Sequence, residues 1–277
     1  MTATFLSIGH FCYDVTREGF VLGGSAAYSA IAARNLGFHA RVITSVGPNF
    51  NRRNPLLNGI EVYYKESPDT TIFENLYSGD GQRRQSILGL AARLIPTHIP
   101  NDCCDAEIVY LCPIADEVHP DWAHSFNGSL IGVTPQGWMR QCEGDSRVLA
   151  KRWSSAELIL PYADALILSD EDLNTFPDEL EKYIELTKIV VLTKGKQGAI
   201  LYENGRVSHS CAYPAKEIDP TGAGDVFATA FLTKYYETQL PQEALNFANC
   251  AASFAVEGQH TSNIPTLNSI RSRLKPV

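Results

Sequence analysis

Short apolar segments alternate with helical patterns along most of this 277-residue chain, and this alternation constrains the fold more than any other feature. The apolar segments are rich in Val, Ile and Leu, and the candidate strands are TFLSIG, ARVITSVG, EIVYLCP, SLIGV, DALILS and KIVVLTKG. Continuous apolar strands between helices are typical of a mostly parallel sheet that is covered on both faces. The sequence therefore predicts an α/β fold.

Local signals place helices and a hairpin between these strands. Ser25 is a candidate N-cap and Gly37 a stop signal for a helix in SAAYSAIAARNLG. Two further helices are expected over about 223–237 and 241–257, where apolar residues recur at helical spacing. The alternating segment AILYENGRVSH predicts a hairpin with its turn at Asn204-Gly205.

One segment interrupts the alternation of strands and helices. From Glu61 to about Leu90 the chain has little helical periodicity, is rich in Thr, Tyr, Phe and Ile, and carries turn signals at 67–69 and 78–81. It predicts a few strands outside the main sheet that form a flap over its crevice, with a surface meander as the alternative. Because the chain has no internal repeat or low-complexity linker, residues 1–277 are expected to form a single domain.

The composition excludes several classes of function. A formal net charge of −8 argues against nucleic-acid binding, which needs clustered Lys and Arg, and the nearest approach to a cluster is Arg83-Arg84. No apolar run of about 18 residues is present, and MTATFLSIGH lacks the basic and long apolar regions of a secretory signal, so neither a membrane partner nor secretion is expected. The seven cysteines are scattered without metal-site spacing, which indicates reduced thiols in a cytoplasmic protein.

The segment DPTGAGDVFATAF, residues 219–231, carries the most informative chemistry. Gly222 and Gly224 allow tight backbone conformations and the close approach of a ligand, and the apolar residues after them start a helix. Unpaired first-turn amides and the helix dipole favour an anion at this place. Asp225 is then either a plain helix-capping residue or a base that accepts the proton of a hydroxyl group attacking a bound phosphoryl group.

Other nucleotide-binding motifs are absent from the sequence. Gly195-Lys196 is followed by Gln197, so there is no Gly-x4-Gly-Lys-Ser/Thr loop. The first strand is not followed by Gly-x-Gly-x-x-Gly, which argues against an NAD-dependent dehydrogenase.

Residues 219–225, Asp-Pro-Thr-Gly-Ala-Gly-Asp, resemble the C-terminal signature Asp-Thr-x-Gly-Ala-Gly-Asp of the ribokinase/PfkB sugar kinases. The resemblance covers nearly the whole chain. It implies a ribokinase-like three-layer sandwich with a mostly parallel central sheet and a small β-rich lid, formed by about 61–90, with 14–22 as a further candidate segment. It also implies ATP-dependent phosphorylation of a hydroxyl group, with Mg²⁺ as the cofactor ion.

The same resemblance assigns roles within the glycine turn. It implies that Asp225 is the catalytic base and that the backbone amides from Gly222, Ala223 and Gly224 to Asp225 form an anion hole. It further implies that Asp219 helps to hold a monovalent cation, K⁺, in the members that use one.

The N-terminal third resembles the part of the family that binds substrate. LGGSAAYSAIAARNLG is similar to the family's glycine pair, which assigns Gly23 and Gly24 to the substrate, with a plain turn into a helix as the alternative. The resemblance also places Asp14 against substrate hydroxyls. In SVGPNF, Asn49 stands where the family usually has Asp, and an amide can still donate and accept hydrogen bonds.

The magnesium region departs from the family pattern. LILSDEDL is similar to the family's Asn-x-x-Glu region, but Ser169 stands where the family has Asn and Asp172 where it has Glu. Asp172 is the candidate Mg²⁺ residue and would act through water, and Asp170 or Glu171 could take its place. The alternative without a function is that these acidic residues only stabilise the start of a helix.

The nucleotide region is carried by two segments. VVLTKGKQGAILY resembles the family's strand and loop near the nucleotide phosphates, which assigns Thr193, Gly195 and Gly198. NFANCAASFAVEGQHTSNIPT resembles the adenine-side helix and places Asn249 near the base, although such a helix taken alone is more often just part of the core. VTPQGWMR, with Arg140, departs from the family's Asp-Pro-Asn-x-Arg segment.

The acceptor is expected to be a small, neutral sugar or polyol. Asp14 and Asn49 suit hydroxyl groups, whereas a sugar phosphate would need clustered Arg or Lys. Within the family the chain looks most like the myo-inositol kinase branch; ribose-like sugars, nucleosides and a non-catalytic sugar or nucleotide sensor are the alternatives. The protein is expected to be a monomer, or a homodimer paired through the strand edges of the lid.

Overall fold

A computed structural model of the protein describes residues 2–77, 83–98, 100–142 and 146–274. The turn predicted at 78–81 and the side chains of Arg83-Arg84 lie outside the described residues. In chain order the strands are β1 (Thr4–Ile8), β2 (Cys12–Thr16), β3 (Gly19–Gly23), β4 (His39–Val46), β5 (Glu61–Glu66), β6 (Thr71–Tyr77), β7 (Arg83–Gly89), β8 (Ile108–Leu111), β9 (Leu130–Val133), β10 (Arg140–Cys142), β11 (Val148–Ala150), β12 (Ala165–Ser169), β13 (Ile189–Thr193), β14 (Ala199–Glu203) and β15 (Arg206–Ser210). The α-helices are α1 (Ser25–Asn35), α2 (Ala156–Ile159), α3 (Glu179–Leu186), α4 (Ala223–Thr238), α5 (Pro241–Ala255) and α6 (Leu267–Arg273).

The main sheet has nine strands in the order β15-β14-β13-β12-β9-β8-β1-β4-β5. All pairs from β13 to β5 are parallel, and β14 and β15 add an antiparallel hairpin at one edge. Each apolar segment singled out in the sequence forms a strand of this sheet. The predicted α/β class with a mostly parallel central sheet is confirmed.

The two faces of the sheet bury different sets of side chains. On one face, strand residues such as Phe5 and Val191 pack with α1, α4 and α5. On the other face, their neighbours Leu6 and Val190 pack with α2, Tyr183 of α3 and three buried tryptophans. Successive side chains of a strand point to opposite faces, so strands with apolar residues at every position require a covering layer on both sides.

A second sheet, which we call the small sheet, consists of β2, β3, β6 and β7 in the order β3-β2-β6-β7. The β2–β6 pair is parallel and the other two pairs are antiparallel. One part of the flap prediction is wrong, because residues 61–66 form β5 at the edge of the main sheet. The reason is partial burial on both faces: Val62 packs against one core and Tyr63 against the other.

The start of α1 differs from the sequence prediction, whereas its end agrees. Gly24, not Ser25, occupies the N-cap position, with φ of 93°. The Gly24 carbonyl accepts from the amides of Ala27 (2.9 Å) and Tyr28 (3.2 Å). Because this backbone conformation favours glycine, the cap moves one residue earlier and the Ser25 side chain is left for another contact. Gly37 follows the helix with φ of 95°, as expected for a stop signal.

The remaining local predictions hold in the structure. The hairpin between β14 and β15 turns at Asn204-Gly205, where both residues have positive φ (49° and 74°), the signature of a type I′ turn. The helices predicted near 223–237 and 241–257 are α4 and α5. Within the described residues, no helix combines the length and apolarity needed to cross a bilayer. Six of the cysteines are free thiols: Cys12, Cys103, Cys104, Cys112, Cys211 and Cys250.

A buried hydrogen-bond network around His10 joins the two sheets. His10 follows β1 and is fully buried; its Nδ1 lies 2.8 Å from Thr71 Oγ1 and its Nε2 3.0 Å from the Ala92 carbonyl. Thr71 Oγ1 accepts from the Ala91 amide, so its own proton goes to Nδ1. Nε2–H then donates to Ala92, and the neutral ring is fully satisfied. Since Thr71 begins β6 and Ala91 follows β7, His10 anchors both ends of that hairpin.

Acid is expected to weaken this network. Burial holds the pKa of His10 below its ordinary value of 6.5, so the unfolded chain takes up a proton at a pH where the folded protein does not. The contribution of His10 to the free energy of unfolding is therefore expected to be undiminished above pH 6.5 and to fall as the pH drops towards the lower folded-state pKa. Because the raised pKa of Asp225 acts with the opposite sign over the same range, the contribution is measured as the difference between the wild type and His10→Gln in urea unfolding between about pH 7.5 and 5, with a slope approaching about 1.4 kcal/mol per pH unit.

Two variants assign this pH dependence to His10. His10→Gln is expected to be less stable at neutral pH and to lose much of the acid sensitivity, because it has no ring to protonate. His209→Gln, at an exposed position on β15, is expected to keep the wild-type profile. An unchanged pH dependence in His10→Gln would contradict the assignment.

Candidate active site

The candidate site lies at the N-terminus of α4. Gly222 occupies the N-cap position in a left-handed conformation (φ 77°), and the Val226 amide donates to its carbonyl at 3.0 Å. The Ala223 amide donates to the Pro220 carbonyl over 3.2 Å, which leaves the amides of Gly222, Gly224 and Asp225 without a backbone acceptor within the described chain. These amides and the helix dipole make the turn a place for an anion.

The turn is open to solvent. Gly224 is exposed, and a Cβ added to it would meet no atom within 4 Å. Gly222 is held from the inside, because a Cβ there would lie 2.2 Å from two ring carbons of Tyr28. The structure therefore provides free space on the ligand side of the turn and close packing behind it.

Asp225 projects from the first turn of α4 into the half-buried part of this site. Burial raises the pKa of Asp225 to about 6, and the charge of Asp172 adds to the effect. Hydrogen bonds from the side chains of Ser25 and Tyr110, together with the positive charge of Arg140, act in the opposite direction. A carboxylate with a pKa just below neutral is ionised at physiological pH and still basic enough to accept a proton.

Two residues that donate hydrogen bonds to Asp225 are missed or misread when the sequence is considered alone. Ser25 reads as a helix cap, and Tyr110 is one polar group inside the apolar strand β8. The Tyr110 hydroxyl also lies 2.9 Å from Thr134 Oγ1. Tyr110 and Thr134 sit at the carboxyl ends of β8 and β9, the edge where open α/β sheets bind ligands. Their position relative to α4 is a long-range property that no local pattern reports.

Arg140 supplies positive charge to the site. It begins β10, and its charge lowers the pKa values of both Asp225 and Asp172. The sequence singles it out only as a departure from a family segment. In the structure it is a cation beside two carboxylates, where it can also neutralise phosphate oxygens.

Asp14, Gly23 and Gly24 form a second part of the site. Asp14 lies on β2 opposite β3, and a Cβ added to Gly23 would lie 2.2 Å from Asp14 Oδ2. A Cβ on Gly24 would lie 2.5 Å from the His10 carbonyl, at a φ of 93°. Both glycines are therefore sterically required where β3 passes into α1. The negative charges of Asp14 and Asp225 both raise the pKa of Tyr28, so the two carboxylates face the same region.

Asn49 lies in the loop after β4, where its side chain is exposed. Its Oδ1 accepts a 2.5 Å hydrogen bond from Thr70 Oγ1, and the same oxygen of Thr70 accepts from the Gly47 amide. This bond ties the loop to the segment entering β6. Contact between Asn49 and a substrate stays a prediction.

The predicted magnesium residue, Asp172, doubles as a helix cap. Its Oδ2 accepts from the Ser169 amide at 3.0 Å, and Ser169 Oγ accepts from the Glu171 amide at 3.2 Å. Burial raises the pKa of Asp172, against hydrogen bonds from Ser169 and Gln136. Among the described residues no group of three His, Cys, Asp or Glu side chains could hold a metal. Mg²⁺ usually keeps several of its waters and binds substrate phosphates, so it needs few protein ligands. The single carboxylate of Asp172 is compatible with such an ion.

Asp219, the predicted monovalent-cation residue, is engaged by backbone amides. Its Oδ1 accepts from Thr221 at 2.9 Å and its Oδ2 from His260 at 2.8 Å. Burial alone would raise the pKa of Asp219, but these hydrogen bonds outweigh it and hold the pKa below its ordinary value. The carboxylate therefore stays ionised and fastens the 260s loop to the start of the glycine turn. Its role in holding K⁺ stays a prediction.

Two of the predicted nucleotide residues, Gly198 and Asn249, meet at one backbone carbonyl. Gly198 has φ of 94°, and a Cβ there would lie 2.0 Å from the Ser210 carbonyl oxygen. Asn249 is buried and donates from Nδ2 to that same oxygen at 3.2 Å. Thr193 ends β13, and Gly195 (φ 51°) opens the turn that follows. Asn249 thus builds the wall of this region, and its contact with a base stays a prediction.

Solved structures share this fold along the whole chain. A pyrophosphate-dependent kinase in the ribokinase family, determined with a pyrophosphate analogue and myo-inositol, has a TM-score of 0.79 at 20% identity, covering 98% of this chain and 100% of that one. Ribokinase from Thermotoga maritima has a TM-score of 0.77 at 22% identity over 100% of both chains. The protein therefore belongs to the class of ribokinase-like α/β folds.

Sequence comparison narrows this class to a family. The model of the pfkB family carbohydrate kinases matches residues 14–267. A nucleoside kinase from Methanocaldococcus jannaschii is 24% identical over 270 residues, which cover 91% of this chain and 85% of that protein. The chain belongs to the pfkB family of carbohydrate kinases, and the resemblance carried by DPTGAGD is confirmed.

Proposed function

We propose that this protein phosphorylates a hydroxyl group of a small, neutral sugar or polyol, with Asp225 as the base and the free amides of the glycine turn as the anion hole. The observation that carries the proposal is the position of Asp225: a half-buried carboxylate with a pKa of about 6, in the first turn of a helix whose amides face open space. Phosphoryl transfer requires mainly such positioning and charge stabilisation.

The reaction would proceed by direct transfer. The acceptor oxygen attacks the terminal phosphorus of the donor while Asp225 takes the hydroxyl proton. The new O–P bond forms as the bond to the leaving phosphate oxygen breaks, and that oxygen keeps the electron pair. The amides of Gly222, Gly224 and Asp225 and the charge of Arg140 would stabilise the equatorial oxygens of the migrating group.

ATP is the proposed donor, with pyrophosphate as a second candidate because a similar structure belongs to a pyrophosphate-dependent kinase. Thr193, Gly195 and Gly198 are the proposed phosphate-side residues. Asp172 would hold Mg²⁺ through water, and the ion would supply further neutralisation of the donor phosphates.

The charges around the acceptor position favour a neutral molecule. Asp14, Asp219 and Asp225 all act on the pKa of Tyr28, so three carboxylates share this region. A phosphorylated acceptor would be repelled there, whereas hydroxyl groups can donate to each carboxylate. myo-Inositol, as bound by the similar kinase, is our first candidate, followed by ribose and nucleosides.

The small sheet is the proposed lid. It carries Asp14 on β2, and a small buried cluster of Cys12, Phe73 and Ile114 attaches it to the main body. Closure over the acceptor would exclude water, which competes with the acceptor for the phosphoryl group.

A turnover screen tests the proposed function. The wild-type protein is assayed with ATP–Mg²⁺ and with pyrophosphate–Mg²⁺ against myo-inositol, ribose and cytidine, with ribose 5-phosphate and glucose 6-phosphate as anionic controls. Phosphorylated product is expected from at least one neutral acceptor and from neither anionic control. Binding of the neutral compounds without product would indicate a sensor, and preference for a sugar phosphate would contradict the argument from charge.

A further inference from the structure

Tyr28 is a buried residue of α1 that packs directly behind the anion turn. Its side chain is 2% exposed, and its ring occupies the space in which a Cβ on Gly222 would lie, 2.2 Å from Cδ1 and Cε1. Contact between the ring and the turn fixes where α4 begins. Packing against Gly222 therefore explains the position of the Tyr28 ring, but it does not explain why the ring carries a hydroxyl group.

The hydroxyl group of Tyr28 has no hydrogen-bond partner among the described residues. Leaving a buried hydroxyl group unpaired is unfavourable, and a phenylalanine ring would pack against Gly222 equally well without that cost. The surroundings are polar rather than apolar, since burial and then the charges of Asp14, Asp219 and Asp225 raise the pKa of Tyr28. The group is thus a protonated donor that lies beside carboxylates but is bonded to none.

The two carboxylates proposed for the acceptor molecule, Asp14 and Asp225, supply no hydrogen-bond donor to it when they are ionised. Asp14 and Asp225, when ionised, can only accept hydrogen bonds, so each accepts one from a substrate hydroxyl group. Each hydroxyl oxygen so bound still has lone pairs that need a donor once water is excluded. The protonated hydroxyl group of Tyr28, which has no hydrogen-bond partner among the described residues and feels the charge of both carboxylates, is a donor suited to that need.

We propose that the Tyr28 hydroxyl donates a hydrogen bond to the oxygen of a neutral, polyhydroxylated acceptor held by Asp14, and that Tyr28 thereby determines which acceptors are bound. This inference rests on the proposed function. The migrating phosphoryl group offers the same hydrogen-bond acceptor chemistry, and the kinetic test separates the two: a contact to the acceptor changes KM, whereas a contact made in the transition state changes kcat.

The experiment compares Tyr28→Phe with Tyr183→Phe. Tyr183 is the control because its hydroxyl is also buried but belongs to the opposite core, where Glu179 is its neighbour. Both variants keep the ring; Tyr28→Phe removes an unpaired hydroxyl group, so its thermal midpoint in the free protein is expected to stay the same or rise. Steady-state kinetics use whichever of myo-inositol, ribose and cytidine the wild-type protein turns over fastest.

Tyr28→Phe is expected to raise KM for that acceptor about tenfold, the factor for one lost hydrogen bond, with kcat changed by less than about twofold. Tyr183→Phe is expected to match the wild type in both constants. An unchanged KM in Tyr28→Phe overturns the inference and leaves the proposed function standing. A fall in kcat at constant KM also overturns it, by assigning the hydroxyl to the migrating group.

Two further outcomes complete the test. A lower thermal midpoint in Tyr28→Phe would show that the hydroxyl is bonded in the free protein, and would overturn the inference. Absence of product from all three acceptors in the wild type would overturn the proposed function first, and the role of Tyr28 with it.

Discussion

Replacement of Asp225 by asparagine is expected to lower kcat by about 10²–10⁴-fold, the range for loss of a general base. The amide keeps the shape of the side chain but cannot take the acceptor's proton. Because burial raises the pKa of Asp225 to about 6, the ionised group is unfavourable in the folded protein at neutral pH. The thermal midpoint of Asp225→Asn is therefore expected to equal or exceed that of the wild type, which separates lost chemistry from lost structure.

The pH profile of the wild type provides a second measurement of the same group. The base works only when ionised, so kcat/KM is expected to be constant above neutral pH and to fall as the pH drops through about 6. Asp105→Asn is a matched control, since Asp105 is exposed and precedes β8, at the edge of the sheet opposite the site. Near-normal turnover in Asp225→Asn, or a flat profile down to pH 4.5, would remove Asp225 from the role of base.

The sequence predicts the main sheet well because its signals are local. Each parallel strand except β5 is an apolar run, which is typical of a strand buried on both faces, and Asn204-Gly205 carries the φ values of its turn in its residue types. The N-terminus of α4 is equally local: two glycines, an acid and an apolar helix follow one another in the chain. Such features can be inferred without knowing any long-range contact.

The parts that the sequence does not predict depend on contacts between distant segments. Ser25 reads as a cap by composition, but Gly24 takes that position and frees the serine for Asp225, 200 residues later. Tyr110 lies in an apolar strand, and its hydrogen bond to Asp225 depends on the packing of β8 against α4. The segment 61–66 resembles a surface strand in sequence, and only its packing against both cores identifies it as strand β5 of the main sheet.

Charge gives the site a consistent chemical character. Asp14, Asp172, Asp219 and Asp225 lie around the turn, and Arg140 acts on two of them. Such a set holds neutral hydroxyl groups directly but accepts a phosphate donor only together with cations. This is the division of labour expected when a magnesium-bound donor meets an uncharged acceptor.

Substitution of Gly222 by alanine is expected to lower kcat/KM by about 10²–10³-fold, the cost of disturbing an anion hole. The added methyl group would lie 2.2 Å from the Tyr28 ring, at a φ of 77° that disfavours side chains. The start of α4 must then move, and the amides and the Asp225 carboxylate move with it. Misplacement by about 1 Å is enough for such a loss.

Thermal unfolding of two alanine variants assigns the Gly222→Ala effect to packing behind the turn. Gly222→Ala is expected to lower the thermal midpoint, since both the ring contact and the backbone conformation are strained. Gly224→Ala is expected to keep or raise it, because Gly224 lies in α4 without positive φ and its Cβ would meet nothing within 4 Å. If Gly222→Ala retained the wild-type midpoint and turnover, the contact with Tyr28 would not fix the start of the helix, and the anion hole would have to be sought elsewhere.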